Sequence, residues 1–163
     1  MSHAWFIDTN LIMYARGKEH PYKAACSRIL FRIADGSFHR DFGIPVTDTE
    51  VFQEIVYRYG LENRWETAVS VSRDLLTIGL KVLAVGKAEI GTLLDLTEKY
   101  GGKGVYPRDL VHVAVMVTNG VKRVITADTH FDLFEEVERV DPLSFLPEEG
   151  EVNRQAGKKR RGK

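Results

Sequence analysis

Residues 107–128, PRDLVHVAVMVTNGVKRVITAD, constrain the fold more than any other stretch of the chain. Pro107 stands where a helix begins, and Asn119-Gly120 stands where it ends. Between them the apolar face is broad, which predicts a central, buried helix rather than one lying on the surface. RVITA (123–127) then reads as a buried strand, and it runs into Asp128.

The same alternation runs along the rest of the chain. AWFID (4–8) is a short apolar strand ending in an acid. From Pro21 to Gly36, Cys26, Ile29, Leu30 and Ile33 fall on one helical face, with Gly36 placed to stop it. GIPV (43–46) is a brief strand, followed by a helix to about Tyr59. RWETAVSVSRDLLTI is a further helix closed by Gly79, and LKVLAV (80–85) is a strand. KAEIGTLLDLTEKYGG is helical, with Ile90, Leu93, Leu94 and Thr97 as the expected buried stripe, and EVERV is a last short strand. Strands separated by helices imply parallel crossovers. The expected fold is α/β, a three-layer α/β/α sandwich on a small, mostly parallel central sheet.

In open α/β sheets, ligands bind beyond the carboxyl ends of the strands. Two strands end there in an aspartate, Asp8 and Asp128. Singly, each has an ordinary role: Asp8 as a helix cap, Asp128 in the turn ADTHFD. Together they place negative charge along one sheet edge. Asp109, in the first turn of the buried helix, complements the helix dipole and would look into the same crevice. Clustered carboxylates repel unless a cation neutralises them, and oxygen-only ligands select a hard divalent ion, Mg2+ or Mn2+. Such an ion suits phosphodiester hydrolysis. No Walker loop, dinucleotide fingerprint or zinc spacing competes. A phosphatase with a nucleophilic aspartate would want a second aspartate where Asn10 stands. His112 reads as a packed polar residue one turn from Asp109.

FIDTNLIMY, VFQEIVYRYG, PRDLVHVAVMVTNGVKRVITADTHFD and VERVDP, in that order, resemble the PIN domain family over most of residues 4–142. The third segment is the most specific. The resemblance implies a metal-dependent endoribonuclease with a four-acid Mg2+ or Mn2+ site. It carries over to Asp8, Glu54, Asp109 and Asp128, with Asp132 as an additional acid. Thr9, Asn10 and Thr126 match the supporting polar positions. It implies an RNA substrate, cleaved to leave a 5′-phosphate and a 3′-hydroxyl. Many small members resemble the VapC toxins of toxin–antitoxin pairs, which implies an antitoxin partner and a homodimer. The alternative is an RNA-processing role, or a non-catalytic PIN-like module acting through a protein partner.

Glu50 and Glu54 lie one turn apart in VTDTEVFQE, and helix position separates them. Thr47-x-x-Glu50 fits a capping box, which assigns Glu50 to the helix start. Val51, Phe52, Ile55, Val56 and Tyr59 form the expected buried stripe. Glu54 lies at its margin, where it can reach the sheet edge. Arg16, Lys18, Arg58, Arg64 and Arg108, with Tyr14, Tyr57 and Tyr59, stand near the motifs. They could contact RNA, though aromatics at helical spacing more often pack in a core.

Formal charge is zero, from 23 basic and 23 acidic residues, but it is unevenly spread. The segment EVNRQAGKKRRGK leaves residues 1–150 with 17 basic and 22 acidic residues. A single nuclease domain is expected over 1–146, followed by a basic, disordered tail over 147–163. The tail either holds a polyanion near the acids or is merely solvated. The chain has no apolar run of membrane-spanning length, no signal peptide is evident and Cys26 is its one cysteine, so a cytoplasmic location is expected.

Overall fold

In the computed structural model, which describes residue 1 and residues 3–146, strands and helices alternate along the chain. The strands are β1 (Ala4–Ile7), β2 (Ile44–Asp48), β3 (Lys81–Leu83), β4 (Arg123–Ile125) and β5 (Glu138–Val140). The helices are α1 (Thr9–Arg16), α2 (Lys23–Ala34), α3 (Ser37–Asp41), α4 (Thr49–Leu61), α5 (Trp65–Thr77), α6 (Lys87–Tyr100) and α7 (Pro107–Thr118). Two 3-10 turns, Thr129–Leu133 and Pro142–Phe145, complete the described residues. The basic tail lies outside them. Among the described residues no helix is long and apolar enough to cross a membrane.

The strands form one sheet in the order β3-β2-β1-β4-β5, and every neighbouring pair is parallel. The protein is a three-layer α/β/α sandwich, as the alternation of elements implied. Parallel strands covered on both faces must be apolar throughout. Accordingly Phe6, Ile7, Val46, Val124 and Ile125 are fully buried. α1 packs on α2, α4 on α5, and α6 on α7. The buried helix expected from the sequence is α7, with Pro107 in its first turn and Leu110, Val113, Ala114, Val115 and Met116 in the core.

The strand order places the site. From β1 the chain steps to β2 and β3 on one side, then crosses to β4 and β5 on the other. The reversal between β1 and β4 opens a crevice at their carboxyl ends, the usual ligand position in such sheets. Asp8 follows β1, and Thr126-Ala127-Asp128 follows β4.

Several local expectations are corrected. α2 ends at Ala34, and Gly36 (φ 76°) turns the chain into the short helix α3, which was not anticipated. α3 is drawn in by Phe38, fully buried in an aromatic group with Trp5, Phe42 and Phe145. On α6 the buried residues are Leu96 and Tyr100, with Leu93 partly buried; Ile90 and Leu94 are exposed. Both sets have helical spacing, and packing against α7 selects between them. On α4, Val56 is exposed and Glu54 is buried in its stead.

Gly43 sets the start of β2. Its φ is 128°, and a Cβ there would overlap the His3 carbonyl oxygen, which accepts the Ile44 amide at 2.9 Å. Gly43→Ala should therefore break the first rung between β1 and β2. A loss of at least about 1–3 kcal/mol, the usual range for such strain, is expected in chemical denaturation.

Candidate active site

Asp8 takes the capping role weighed for it and is also tied to the end of β4. It is the N-cap of α1, accepting the Thr9 amide on Oδ1 at 2.7 Å. Its Oδ2 accepts the Thr126 hydroxyl, also at 2.7 Å. That hydroxyl is a hub: it accepts from the Asn10 side-chain amide (2.7 Å) and from the Asp128 backbone N–H (3.0 Å). Asn10 Oδ1 in turn accepts the Ala127 amide at 3.4 Å. The polar residues after β1 and β4 thus lock the two strand ends together across the crevice.

Asp128 caps the following 3-10 turn, with Oδ1 accepting the His130 amide at 2.9 Å and lying 2.6 Å from His130 Nδ1. Asp109 is buried in the first turn of α7, and its Oδ2 is buried with no hydrogen-bond partner among the described residues. Burial, then the charges of Asp8 and Asp128, push its carboxyl up to about 7. Burial likewise raises Asp8, against the opposing pull of His112 and Thr126. An unpartnered oxygen in a carboxylate crowded by two others is an electrostatic deficit that a cation would relieve.

Glu54 reaches the site from α4, as its helix position suggested. Its Oε1 accepts from Thr9 Oγ1 at 3.0 Å and lies 2.6 Å from His112 Nε2; its Oε2 accepts from Arg108 at 2.9 Å. Burial disfavours its charge, but the His112 and Arg108 contacts prevail and hold its carboxyl below the usual range. Thr9 therefore links the two acids: its amide binds Asp8 and its hydroxyl binds Glu54. Asp132 is engaged elsewhere, ion-paired with Arg139 at 2.9 Å.

The least anticipated feature lies behind Glu54. His112 is 1% exposed, and its Nδ1 lies 2.8 Å from Asp48 Oδ2. Asp48 is itself fully buried and, not Thr47, caps α4, accepting the Val51 amide at 3.1 Å. The expected capping box is overturned because α4 begins one residue later than expected, at Thr49, and the Thr47 hydroxyl instead donates to the Ile7 carbonyl at 3.1 Å. Burial would lower the His112 imidazole, but hydrogen bonds to Asp48 and Glu54 outweigh it and raise it well above its usual value. A buried imidazolium thus sits between two carboxylates. The D-x-x-H spacing was visible in the sequence; the paired acids came from β2 and α4, which no local pattern joins to α7.

Eight polar side chains are therefore buried at one end of the sheet: Asp8, Thr9, Thr47, Asp48, Glu54, Asp109, His112 and Thr126. Asp128 and Asn10 stand half-buried at their edge. Among the described residues no group of three acidic, histidine or cysteine side chains is already gathered closely enough to hold a metal ion. The acids are neighbours by charge, tied back by Thr9, Thr126, His112 and Arg108.

Comparison with known proteins bears on the family and the fold. The chain is 28% identical to Ribonuclease VapC13 of Mycobacterium tuberculosis over 82% of its own length and 97% of that protein's. It is 30% identical to Ribonuclease VapC23 of the same species, over 76% of this chain and 91% of the relative. In fold it is similar to a crystal structure of VapBC2 from Rickettsia felis bound to a promoter DNA fragment, with a TM-score of 0.65 and 16% identity over 85% of this chain and 98% of that one. The profile of the PIN domain matches residues 5–138, which run from within β1 to the first residue of β5 and include every acid described above, and the chain belongs to the PIN domain family.

Proposed function

We propose that this protein is a divalent-metal-dependent endoribonuclease, the toxin of a VapC-type toxin–antitoxin pair. Asp8, Glu54, Asp109 and Asp128 would hold one or two Mg2+ or Mn2+ ions. The observation that carries this reading is Asp109: a buried carboxylate oxygen with no donor, in a group driven up to about 7 by burial and by Asp8 and Asp128. The donor set is all oxygen, which suits a hard ion. The ribonuclease names of VapC13 and VapC23 support the activity, and the VapBC2 complex supports an antitoxin partner.

When bound, a divalent ion supplies water activation and orientation of phosphate oxygens. The chain's own residues supply the rest. Thr126 and the Thr9 amide hold the two oxygens of Asp8 in a single orientation. His112, backed by Asp48, holds Glu54 toward Thr9 and α1. Arg108 occupies the outer oxygen of Glu54, and Arg58 stands 4.0 Å from the same atom. Both guanidinium groups are placed to receive negative charge on a scissile phosphate. Asp132, paired with Arg139, belongs to the margin of the site rather than to its donor set.

A protein partner finds support in a groove of about 570 Å3 between α4 and α5, walled by Phe52, Val56, Tyr57, Leu61 and Trp65. Several of these side chains are exposed. The same apolar surface would serve either an antitoxin or a second copy of the chain.

The two glutamates of α4 test the site directly. Glu54→Gln should abolish Mg2+- or Mn2+-dependent cleavage of RNA, whereas Glu50→Gln, in the first turn and half-buried, should leave it largely intact. Cleavage rates on a bulk RNA substrate, with melting curves to confirm folding, decide the matter. The reverse pattern would overturn the assignment.

A further inference from the structure

Beside the acids lies a cavity of about 720 Å3, within the roughly 300–1,000 Å3 range of sites that enclose a small ligand. Asn10, Ala127 and Asp128 form the wall nearest the acids, so cavity and candidate site share an edge. Its other walls come from α1, the loop after it, α4 and the turn between α4 and α5. Three observations describe its chemistry.

First, it is lined by cations: Arg16, Lys18, Arg58 and Arg64. Arg16 is paired with Asp74 and Arg64 with Glu62, while Lys18 has no ion-pair partner among the described residues. Arg58 is the link to the acids, 4.0 Å from Glu54. The acids Glu19 and Glu62 also line the cavity; Glu19 is paired with Lys23 at 3.2 Å.

Second, one wall is aromatic and already aligned. Tyr14 and His20 stack with centroids 4.4 Å apart and planes 23° apart. The Tyr22 ring lies nearly parallel to both, at 24° and 21°. Third, this wall is fastened. Tyr22 Oη donates to Asp141 at 2.8 Å, the Tyr22 amide donates to His20 Nδ1 at 3.2 Å, and Lys23 Nζ ties the Gly17 carbonyl at 2.9 Å. His20 itself remains exposed.

Cations on one side and a preset ring face on the other are what a nucleotide needs: charge for the phosphate and a flat surface for the base. A base can enter such a cavity only if it is out of a helix, which selects single-stranded or looped RNA. We propose that this cavity is a subsite for one unpaired nucleotide flanking the cleavage point. The base stacks on the His20–Tyr14 wall, and Lys18, Arg58 and Arg64 receive its phosphates. The proposal rests on the ribonuclease reading above and adds the residues that choose the nucleotide next to the cut.

The test is binding of a fluorescein-labelled, short single-stranded RNA, followed by anisotropy across a salt series, in an Asp109→Asn background that keeps the RNA whole. His20→Ala should weaken binding about 5- to 100-fold without changing the salt dependence, and His20→Phe should restore it. Lys18→Ala and Arg64→Ala should each weaken binding and lower the salt slope by about 0.7, the value for one lost phosphate contact on a single strand. Lys122→Ala, at the amino end of β4, should match the background protein. If His20→Ala, Lys18→Ala and Arg64→Ala all bind RNA as the background does, the cavity serves another ligand and the proposal is overturned. If the background protein fails to bind RNA and the parent fails to cleave it with Mg2+ or Mn2+, the ribonuclease reading falls first and takes the subsite with it.

Discussion

Replacing His112 by leucine should destabilise the protein by about 3–5 kcal/mol, the usual result of removing one partner from a buried ion pair. For a domain of this size that corresponds to a fall in Tm on the order of 10 °C. The cause is specific. Without the imidazolium, Asp48 and Glu54 remain buried and face each other with no cation between them, although Asp48 still caps α4. The pH dependence separates this from a simple packing loss. A histidine whose folded value is raised contributes stability that is fully present below its unfolded value near 6.5. That contribution is lost as pH rises through the raised folded value. The gap between parent and His112→Leu should therefore be widest between about pH 5 and pH 6, narrowing in alkali as His112 loses its proton and in acid as Glu54, held below its usual range partly by His112, gains one. A gap independent of pH would mean that His112 acts by volume alone. His112→Gln, which keeps polar atoms near both carboxylates, should lie between the two proteins in stability.

Asp109→Asn should act in the opposite direction on stability while removing function. The Asp109 carboxyl rises from 3.8 to about 7 on folding in the metal-free protein. A raised acid makes the unfolded state gain more from ionisation, so stability falls between about pH 4 and pH 7 and then levels off. The asparagine variant carries no such charge. In metal-free buffer at pH 8 it should be more stable than the parent, by on the order of 2–4 kcal/mol for a shift of this size. Its melting temperature should also vary less between pH 4 and pH 7. Cleavage of RNA with Mg2+ or Mn2+ should fall by more than about 100-fold, the upper end of what losing a mere supporting partner of a metal ligand costs. A variant that is both less stable and fully active would contradict the role given to Asp109.

The parts of this protein that were legible in its sequence are those written into contiguous stretches. Residues 107–128 carry a whole helix–turn–strand unit, and α7 and β4 lie where that unit placed them, although β4 is shorter than the RVITA segment. Asp8 and Asp128 were legible as acids at strand ends, and parallel pairing brings those ends to one edge. That Glu54, and not Glu50, turns inward from α4 was also legible through helix position, although the capping box expected at Glu50 does not form. The α4 cap slipped by one residue because Thr47 and Asp48 are both good capping types; only the fold, which brings the Ile7 carbonyl to the Thr47 hydroxyl, leaves the cap to Asp48. The α6 stripe was misread because two overlapping faces share the same spacing. The buried bridge through His112 was not legible at all. It joins Asp48, Glu54 and His112 from three elements, and its separations of 58 and 64 residues exceed any local pattern. The cavity was legible only as scattered residues, Arg16, Lys18, Arg58, Arg64 and Tyr14; its shape needs the fold to bring α1, its loop and α4 together.

Mutual repulsion accounts for how firmly most of the acids are held. Clustered carboxylates tend to spread apart unless neighbours hold them in place. Thr126, the Thr9 amide, His112 and Arg108 act as those restraints on Asp8 and Glu54, while Asp109 has none on its buried oxygen. The acid left without a donor is the one for which a cation has the most to offer.

The most direct test of this account follows RNA cleavage by the purified chain through a single metal cycle, with the ends of the products mapped. Cleavage should proceed with Mg2+ or Mn2+, stop when EDTA is added, resume with excess metal, and leave 5′-phosphate and 3′-hydroxyl ends. Cleavage that continues unchanged in EDTA, or no cleavage of any RNA by a folded, metal-loaded protein, would contradict it.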